Sequence, residues 1–217
     1  MKIKFKKTDL IYISAILVVA AIEFGGFTSE KANVTGKCDG HNYVDLGLPS
    51  GTLWATSNIG AKESTEYGDY FAWGETESKG TYSKDNNTLY PDSILELDAT
   101  NDAATACWGK RWRTPKITEM NELLSYCFWT WTDNFKLTGV AGEVGYSKIN
   151  GKMIFFPASG FRIDNGIKYR GQYGFYRSSS RQNRGNNQTL SFYDQDIDCD
   201  AHLCWYGLSV RAVVANN

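Results

Sequence analysis

The sequence has few of the residues and motifs by which enzymes are usually recognised. Its only two histidines, His41 and His202, are far apart, and neither adjoins a Ser or Cys motif typical of a nucleophile. Gly-x-Ser-x-Gly, His-Glu-x-x-His and phosphate-binding glycine loops are absent. A carboxylate pair for glycoside hydrolysis needs proximity in space rather than in sequence, and nothing here selects one. We therefore expect a protein that is not an enzyme.

The chain also lacks a surplus of basic residues. It has 23 Lys and Arg against 24 Asp and Glu, a net charge of −1. Binding of nucleic acid depends on cationic side chains that neutralise phosphates, so no nucleic-acid partner is expected. Aromatic residues, in contrast, make up 14% of the chain. They either fill a β-rich core or lie on a surface that recognises sugars or proteins, and composition leaves both open.

The first 42 residues differ from the rest of the chain. Several lysines precede an apolar run over Leu10–Phe27, which is typical of a secretory signal peptide or a signal anchor. Its uninterrupted part, Leu10–Ile22, is short for a membrane span of about 20 residues, so cleavage and anchoring both stay open. We expect residues 1–27 to direct the protein out of the cytoplasm, residues 28–42 to be a linker, and residues 43–217 to form one domain. The only membrane contact would be through the N-terminal segment.

Two segments of the domain have the pattern of helices. The first covers about Ala99–Cys107, with Asp98 or Thr100 as its N-cap. The second begins at Thr114-Pro115, because Thr can cap a helix and Pro suits the first helical position. One apolar face of the second helix is predicted from its spacing; it comprises Ile117, Met120, Leu124 and Cys127.

Short strands and long loops are predicted for most of the remainder. Residues 62–97 show no clear period and are expected to be surface loops. Turn signals separate the predicted strands, which are Tyr43–Leu48, Thr52–Thr56, Lys152–Pro157, Gly174–Ser178, Thr189–Tyr193 and Ser209–Val214. Helices beside short antiparallel strands indicate an α+β domain.

An ordered series of motifs resembles a known family, the Fibrobacter succinogenes major paralogous domain family of secreted proteins in gut Bacteroidetes. The series covers nearly all of residues 43–214 and consists of YVDLGLPSGTLWA (43–55), YGDYFAWGET (67–76), DAATACWGKRWRTP (102–115), EMNELLSYCFWTW (119–131), IFFPASGFR (154–162), GFYRSSS (174–180) and LSVRAV (208–213). The resemblance implies a C-type-lectin-like fold, with two helices beside a twisted antiparallel sheet and long loops. The family often has Trp where Arg177 stands, which indicates an altered surface there.

Five cysteines occur in a chain that is expected to be exported, where disulfides are permitted. Cys199 and Cys204 would be able to close a hairpin, and Cys107 and Cys127 to bridge the two helices, which leaves Cys38 free or intermolecular. Spacing alone does not decide the connectivity. The Cys199–Cys204 spacing resembles the copper-binding cysteines of formylglycine-generating enzymes, but the pair lies too close to the Gly207–Arg211 motif to match that site.

Alternating aspartates form the best candidate for a metal site. Asp194, Asp196, Asp198 and Asp200 would point to one face of an extended strand, and Ca²⁺ prefers several oxygen ligands. The lectin-type Glu-Pro-Asn and Gln-Pro-Asp motifs are absent. The alternative is a solvated edge strand whose carboxylates prevent pairing with another strand. We therefore expect no cofactor. The alternative is a Ca²⁺ ion bound by Asp194, Asp196 and Asp198.

The stretch 169–206 is rich in Tyr, Asn and Arg, a composition that resembles an adaptable binding surface. The alternative is an ordinary polar hairpin with buried tyrosines. The predicted ligand-binding residues are Tyr173, Tyr176, Arg177, Arg181, Asn183, Tyr193, Trp205 and Tyr206. We expect a binding module for a glycan or a surface protein. A display protein diversified by a retroelement, and a structural or adhesive surface protein, are the alternatives.

Overall fold

The structure is a computed structural model, and it describes residues 33–88, 94–183, 185–193 and 196–214. The predicted export segment, Leu10–Phe27, lies outside these residues. The chain divides into two compact units, residues 1–33 and residues 34–217. Within the described residues, no helix is both long enough and apolar enough to cross a bilayer.

The described part of the second unit consists of short strands and two α-helices. The helices are α1 (Ala103–Trp108) and α2 (Ile117–Tyr126). The strands, in chain order, are β1 (Gly36–Cys38), β2 (His41–Asp45), β3 (Leu53–Ala55), β4 (Trp112–Arg113), β5 (Cys127–Thr132), β6 (Gly142–Ser147), β7 (Met153–Pro157), β8 (Phe161–Ile163), β9 (Gly166–Lys168), β10 (Tyr173–Asn183), β11 (Asn186–Tyr193), β12 (Asp196–Leu203) and β13 (Val213–Val214). Two 3-10 turns cover Lys84–Asn86 and Phe135–Leu137. The predicted α+β class is confirmed.

Antiparallel pairing joins these strands into separate small sheets. The largest has the order β1-β2-β3-β13-β4, and two three-stranded sheets have the orders β5-β6-β7 and β10-β11-β12. Strands β8 and β9 form a hairpin of their own. We call β10-β11-β12 the C-terminal sheet; β12 lies at one edge of it.

The main core lies where the three larger sheets and α2 meet. Trp54 from β3, Met120 from α2, Phe156 from β7, Tyr176 from β10 and Phe192 from β11 are all buried in one cluster. Aromatic rings meet edge to face there, for example Phe156 and Tyr176 with centroids 4.8 Å apart, an arrangement that adds to the effect of burial. The cluster therefore holds the C-terminal sheet rigidly against the rest of the domain.

The domain begins earlier than the sequence predicted. Residues 28–42 were expected to be a linker, yet β1 and the start of β2 lie within them and pair with each other. Asp39 and Gly40 form the two-residue turn, and both have positive φ angles, 45° and 85°. Asp-Gly favours this hairpin turn because its twist matches that of the flanking strands. The Asp39-Gly40 dipeptide is therefore the sequence signal for this hairpin.

Both predicted helices exist, but each begins later than expected. Asp102, rather than Asp98 or Thr100, is the N-cap of α1 and accepts hydrogen bonds from the Thr105 and Thr114 amides at 3.0 and 2.8 Å. Asp98 instead accepts from the Thr100 amide and closes a local turn. Helix α2 begins after Lys116, although its predicted apolar face does lie against the core.

The predicted strands are confirmed except for the last: within Ser209–Val214, only Val213–Val214 forms a strand, and Ser209 forms an isolated bridge with Tyr176. Four further features were not predicted: β4, β5, β6 and the β8–β9 hairpin. Strand β12 agrees with the alternative given for the alternating aspartates, a solvated edge strand, since it lies at the edge of the C-terminal sheet with its acidic residues alternating with apolar ones. That alternation is itself the period of a half-buried strand.

All five cysteines are free, so the two proposed pairs are wrong. Cys199 packs against the core from β12, whereas Cys204 lies beyond the strand with its amide bonded to the Gly185 carbonyl. Cys127 is buried at the end of α2, while the Cys107 side chain is exposed. Burial raises the pKa of all five thiols, to about 12 for Cys127 and Cys199, so none has the lowered pKa of a reactive thiolate.

Candidate functional site

The two faces of the C-terminal sheet differ in their surroundings. On β10, Tyr176 points into the main core, together with Leu190 and Phe192 of β11. Side chains alternate along a strand, so Tyr173 lies on the opposite, outer face. Tyr173 is paired with Tyr193 of β11, and Tyr193 is paired with Asp196 of β12. The outer face therefore brings together residues from the predicted ligand and metal sets.

Six rings on and beside this outer face form an unbroken series, which we call the aromatic row. Its members, in spatial order, are Tyr193, Tyr173, Tyr169, Phe161, Tyr206 and Trp205. The successive ring centroids are 5.1, 4.9, 5.9, 4.8 and 6.1 Å apart. These spacings are typical of favourable ring pairs, so neighbouring rings support one another.

The aromatic row is open to solvent at one end. Tyr169 and Tyr193 are 52% and 48% exposed, and the other members are half-buried. Exposed aromatic rings that are held by their neighbours give a large contact area and lose little conformational entropy on binding. The row is thus a preformed apolar surface with phenol groups available for hydrogen bonds.

Local backbone geometry places Phe161 and Tyr169 in this row. Gly160 has a φ of 63°, and a Cβ there would lie 2.0 Å from the Lys168 carbonyl oxygen. Only glycine lets the start of β8 approach the end of β9 so closely. Beyond β9, Tyr169 has a φ of 57°, and its carbonyl accepts from the Tyr173 amide at 2.9 Å. This turn brings the Tyr169 ring beside Tyr173.

A row of carboxylates lies along β12, at the edge of the same face. Asp196, Asp198 and Asp200 are exposed, while the residues between them, Ile197 and Cys199, pack against the core. We call these three aspartates the acidic row. The amides of the residues that follow Asp198 and Asp200 donate to those carboxylates at 2.7 Å, so backbone donors of the edge strand are satisfied.

No group of three or more His, Cys, Asp or Glu side chains is arranged to hold a metal ion in the part of the chain that the structure describes. Asp194, one of the three predicted Ca²⁺ ligands, lies outside the described residues. Asp196 and Asp198 are two residues apart along β12. The Ca²⁺ site remains a prediction.

Arg177 also belongs to the outer face, but a neighbouring segment covers it. Its guanidinium donates to the carbonyl oxygens of Cys204, at 3.1 Å, and Tyr206, and to the side-chain oxygen of Asn187. It thereby fastens the Trp205–Tyr206 segment over this half of the face. Burial lowers the pKa of Arg177 to about 10, which still leaves it charged at neutral pH.

The structure corrects the placement of three predicted ligand-binding residues. Tyr176, Arg177 and Arg181 are buried, so they are not part of an accessible surface. The Tyr176 hydroxyl donates to the Pro157 carbonyl at 2.7 Å. Arg181 lies over the Trp73 ring and donates to a main-chain carbonyl at 3.2 Å. The polar groups of these three residues therefore form contacts inside the domain.

The remaining five predictions fall into two places. Tyr173, Tyr193, Trp205 and Tyr206 belong to the aromatic row, as described above. Asn183 is exposed at the end of β10, where its side-chain oxygen accepts from the Asn186 amide group at 2.9 Å. Sequence reasoning missed Phe161 and Tyr169; the Asp164-Asn165-Gly166 turn between β8 and β9 was the signal that would have placed them.

His202 on β12 and Glu143 on β6 also have pKa values shifted by burial, and they lie in different sheets. His202 shares a hydrogen bond of 2.8 Å with the Thr189 hydroxyl, and its pKa is lowered chiefly by burial. Glu143 is buried on β6 between its strand partners Trp131 and Phe156, and burial raises its pKa to about 7. Neither of its carboxylate oxygens has a hydrogen-bond partner among the described residues.

No family model, no curated protein and no solved structure matches the chain. The resemblance of its motifs to the Fibrobacter succinogenes major paralogous domain family therefore stays a prediction. The interpretation of the site rests on its own geometry, in which the aromatic row and the acidic row share one face of the C-terminal sheet.

Proposed function

We propose that this protein is a non-catalytic recognition module that binds its ligand on the outer face of the C-terminal sheet. The observation that carries this proposal is the aromatic row, six rings in continuous contact with its two most exposed members at one end. Soluble proteins that expose aromatic rings side by side often use them for contact with a partner. The raised thiol pKa values agree with a role without covalent chemistry.

Binding on this surface needs no rearrangement of the scaffold. The inner face of the C-terminal sheet is packed into the main core, and Arg177 fastens the covering segment. A ligand would stack on the open tyrosine rings and form hydrogen bonds with phenol and carboxylate groups. Both sugars and protein segments offer surfaces of this kind. Preorganisation lowers the entropic cost of association.

The proposal includes the family and the location that the sequence predicts. It assigns the chain to the Fibrobacter succinogenes major paralogous domain family, with a C-type-lectin-like fold and a position outside the cytoplasm. Support comes from the ordered motifs over residues 43–214 and from two helices beside curled antiparallel sheets. The lysine-rich start and the apolar run over Leu10–Phe27 support export.

A binding screen against glycan arrays and surface proteins tests the proposal. The double variant Tyr173→Ala/Tyr193→Ala removes two of the three rings at the open end of the aromatic row, so we expect any specific binding to fall at least about tenfold. Phe128→Ala is the matched control, because Phe128 is 64% exposed on β5, in a different sheet. It should leave binding unchanged.

Two results would overturn this assignment of the surface. One is binding that the double variant leaves intact. The other is an equal loss in the double variant and in Phe128→Ala, since that would point to general hydrophobic attraction. Running the screen with and without Ca²⁺ tests the acidic row as a metal site, because a Ca²⁺ requirement that disappears in Asp196→Asn would assign it that role.

A further inference from the structure

Resting on the proposed function, we infer that the outer face binds an extended, basic segment of a partner protein. Lysine or arginine side chains at alternate positions of that segment would pair with Asp196, Asp198 and Asp200. The stacked rings of Tyr193, which is exposed, and Tyr173, which is half-buried, would contact the same cationic side chains. The inference rests on three features of the face: its charge, its spacing and the position of the rings.

The acidic row has no internal counter-charge among the described residues. The ion pairs of the described chain join Lys79 to Glu75, Arg111 to Asp39 and Arg113 to Glu119, and none involves the acidic row. The three carboxylates are exposed and lie in line. Like charges so placed repel one another, and a cationic partner would relieve that repulsion.

The spacing of the acidic row matches that of an extended polypeptide. Its members are two residues apart along β12, and alternate residues of a strand are separated by roughly 7 Å. An extended partner segment has the same repeat, so its alternate side chains meet successive carboxylates in register. Adjacent lysines, by contrast, would point to opposite sides and leave half of the charge unused.

The aromatic row adds a second kind of contact for the same ligand. Tyr193 is the strand partner of Asp196, and its ring stacks on Tyr173 with centroids 5.1 Å apart. A lysine or arginine beside Asp196 is thus within reach of a ring face, and cations are attracted to such faces. A neutral glycan would use the rings but would leave the three carboxylates unpaired.

The test uses the full chain and two synthetic peptides of equal length and charge. One peptide alternates six lysines with six threonines; in the other the six lysines are contiguous. We expect the alternating peptide to bind at least about threefold tighter, and its affinity to fall between 50 and 500 mM salt. Fluorescence anisotropy with labelled peptides measures both quantities.

A pair of triple variants separates the acidic row from general charge. Asp196→Asn/Asp198→Asn/Asp200→Asn should weaken the alternating peptide about tenfold, while its amide oxygens still accept from the β12 backbone. The control changes the exposed residues Glu63, Glu77 and Asp85 to Gln, Gln and Asn, an equal change in charge. It should alter the affinity less than twofold.

Three outcomes would overturn the inference: equal binding of the two peptides, equal loss in the two triple variants, or no binding of either peptide. Each is distinguishable from failure of the proposed function. If a glycan or another protein binds and the Tyr173→Ala/Tyr193→Ala variant loses it, the recognition surface stands and only the basic ligand is wrong. If that variant has no effect on any ligand, both proposals fail.

Discussion

The two faces of the C-terminal sheet use tyrosine for different purposes. On the inner face, Tyr176 is fully buried, its hydroxyl is bonded to the Pro157 carbonyl, and burial raises its pKa to about 12. On the outer face, Tyr193 is 48% exposed and stacks on Tyr173. The role of a tyrosine in this sheet therefore depends on the side of the strand from which it projects. The tyrosine content of the chain does not reveal that role.

The outer face is itself divided. Around Arg177 it is covered by the Trp205–Tyr206 segment, whereas around Tyr193 it is open. The covered half contributes to stability and the open half offers contact area. Variants that disturb one face or one half should therefore give effects of clearly different size.

The largest expected effect comes from removing the anchor of the covered half. Arg177→Met would remove one donor from the carbonyl groups of the 203–206 segment and the guanidinium donor from the Asn187 side-chain oxygen. We expect the free energy of unfolding to fall by about 3 kcal/mol or more. Urea denaturation measures it. Arg111→Met is the control, because the Arg111–Asp39 pair is exposed to solvent and its loss should leave the free energy of unfolding nearly unchanged.

A loss below about 1 kcal/mol for Arg177→Met would contradict the division of the outer face. The covering segment would then be held mainly by its other contacts, which include the main-chain hydrogen bonds of Cys204 with Gly185 and Trp73 and the stacked Phe161–Tyr206 pair at 4.8 Å.

The next largest effect is a pH dependence of stability that arises from Glu143, which is buried among apolar side chains of β5 and β7. Burial raises the pKa of Glu143 from 4.5 to about 7, so the folded chain holds this proton more tightly than the unfolded chain. The resulting stabilisation is complete below about pH 4.5 and is lost as the pH rises to about 7. Glu143→Gln should therefore raise the free energy of unfolding by about 3 kcal/mol at pH 8, with little change at pH 4.

Thermal or urea unfolding at pH 4, 6 and 8 measures this dependence. Glu77→Gln, at an exposed position, is the control and should show no such trend. If Glu143→Gln destabilises the chain equally at every pH, Glu143 is ionised and paired in the folded protein, and its placement among Trp131 and Phe156 is wrong.

The smallest effect compares the two faces directly. Tyr176→Phe removes a buried hydroxyl that donates to the Pro157 carbonyl at 2.7 Å and accepts from the Asn58 side-chain amide at 3.3 Å, which should cost about 1 to 2 kcal/mol. Tyr173→Phe, three residues earlier on the outer face, should cost less than about 0.5 kcal/mol. Equal losses in the two variants, measured by urea denaturation, would mean that both faces are packed alike.

Part of the fold and of the candidate site is predictable from the sequence. The α+β class followed from apolar periodicity, and the aspartates of β12 were recognised as lying on one face. Strand alternation would also have shown that Tyr173 and Tyr176 face opposite ways, because they are an odd number of residues apart. The assignment of both residues to one binding surface is therefore wrong, and the alternation of side chains along a strand is enough to show it.

Other features depend on contacts between distant parts of the chain, which spacing does not reveal. Arg177 has the right register for the outer face, yet it is buried because residues 203–206 fold back over it. Phe161 joins the aromatic row only because Gly160 permits the close approach of β8 and β9. The free state of all five cysteines likewise follows from where the core places them.

The position of β13 has a consequence for the kinetics of folding. Val213 pairs with Trp54 on one side and with Arg113 on the other, so this short strand completes the interior of the largest sheet. A nascent chain that has not yet reached residue 213 leaves β3 and β4 without their shared partner. Closure of that sheet therefore waits for synthesis of almost the whole domain, and such high contact order slows folding.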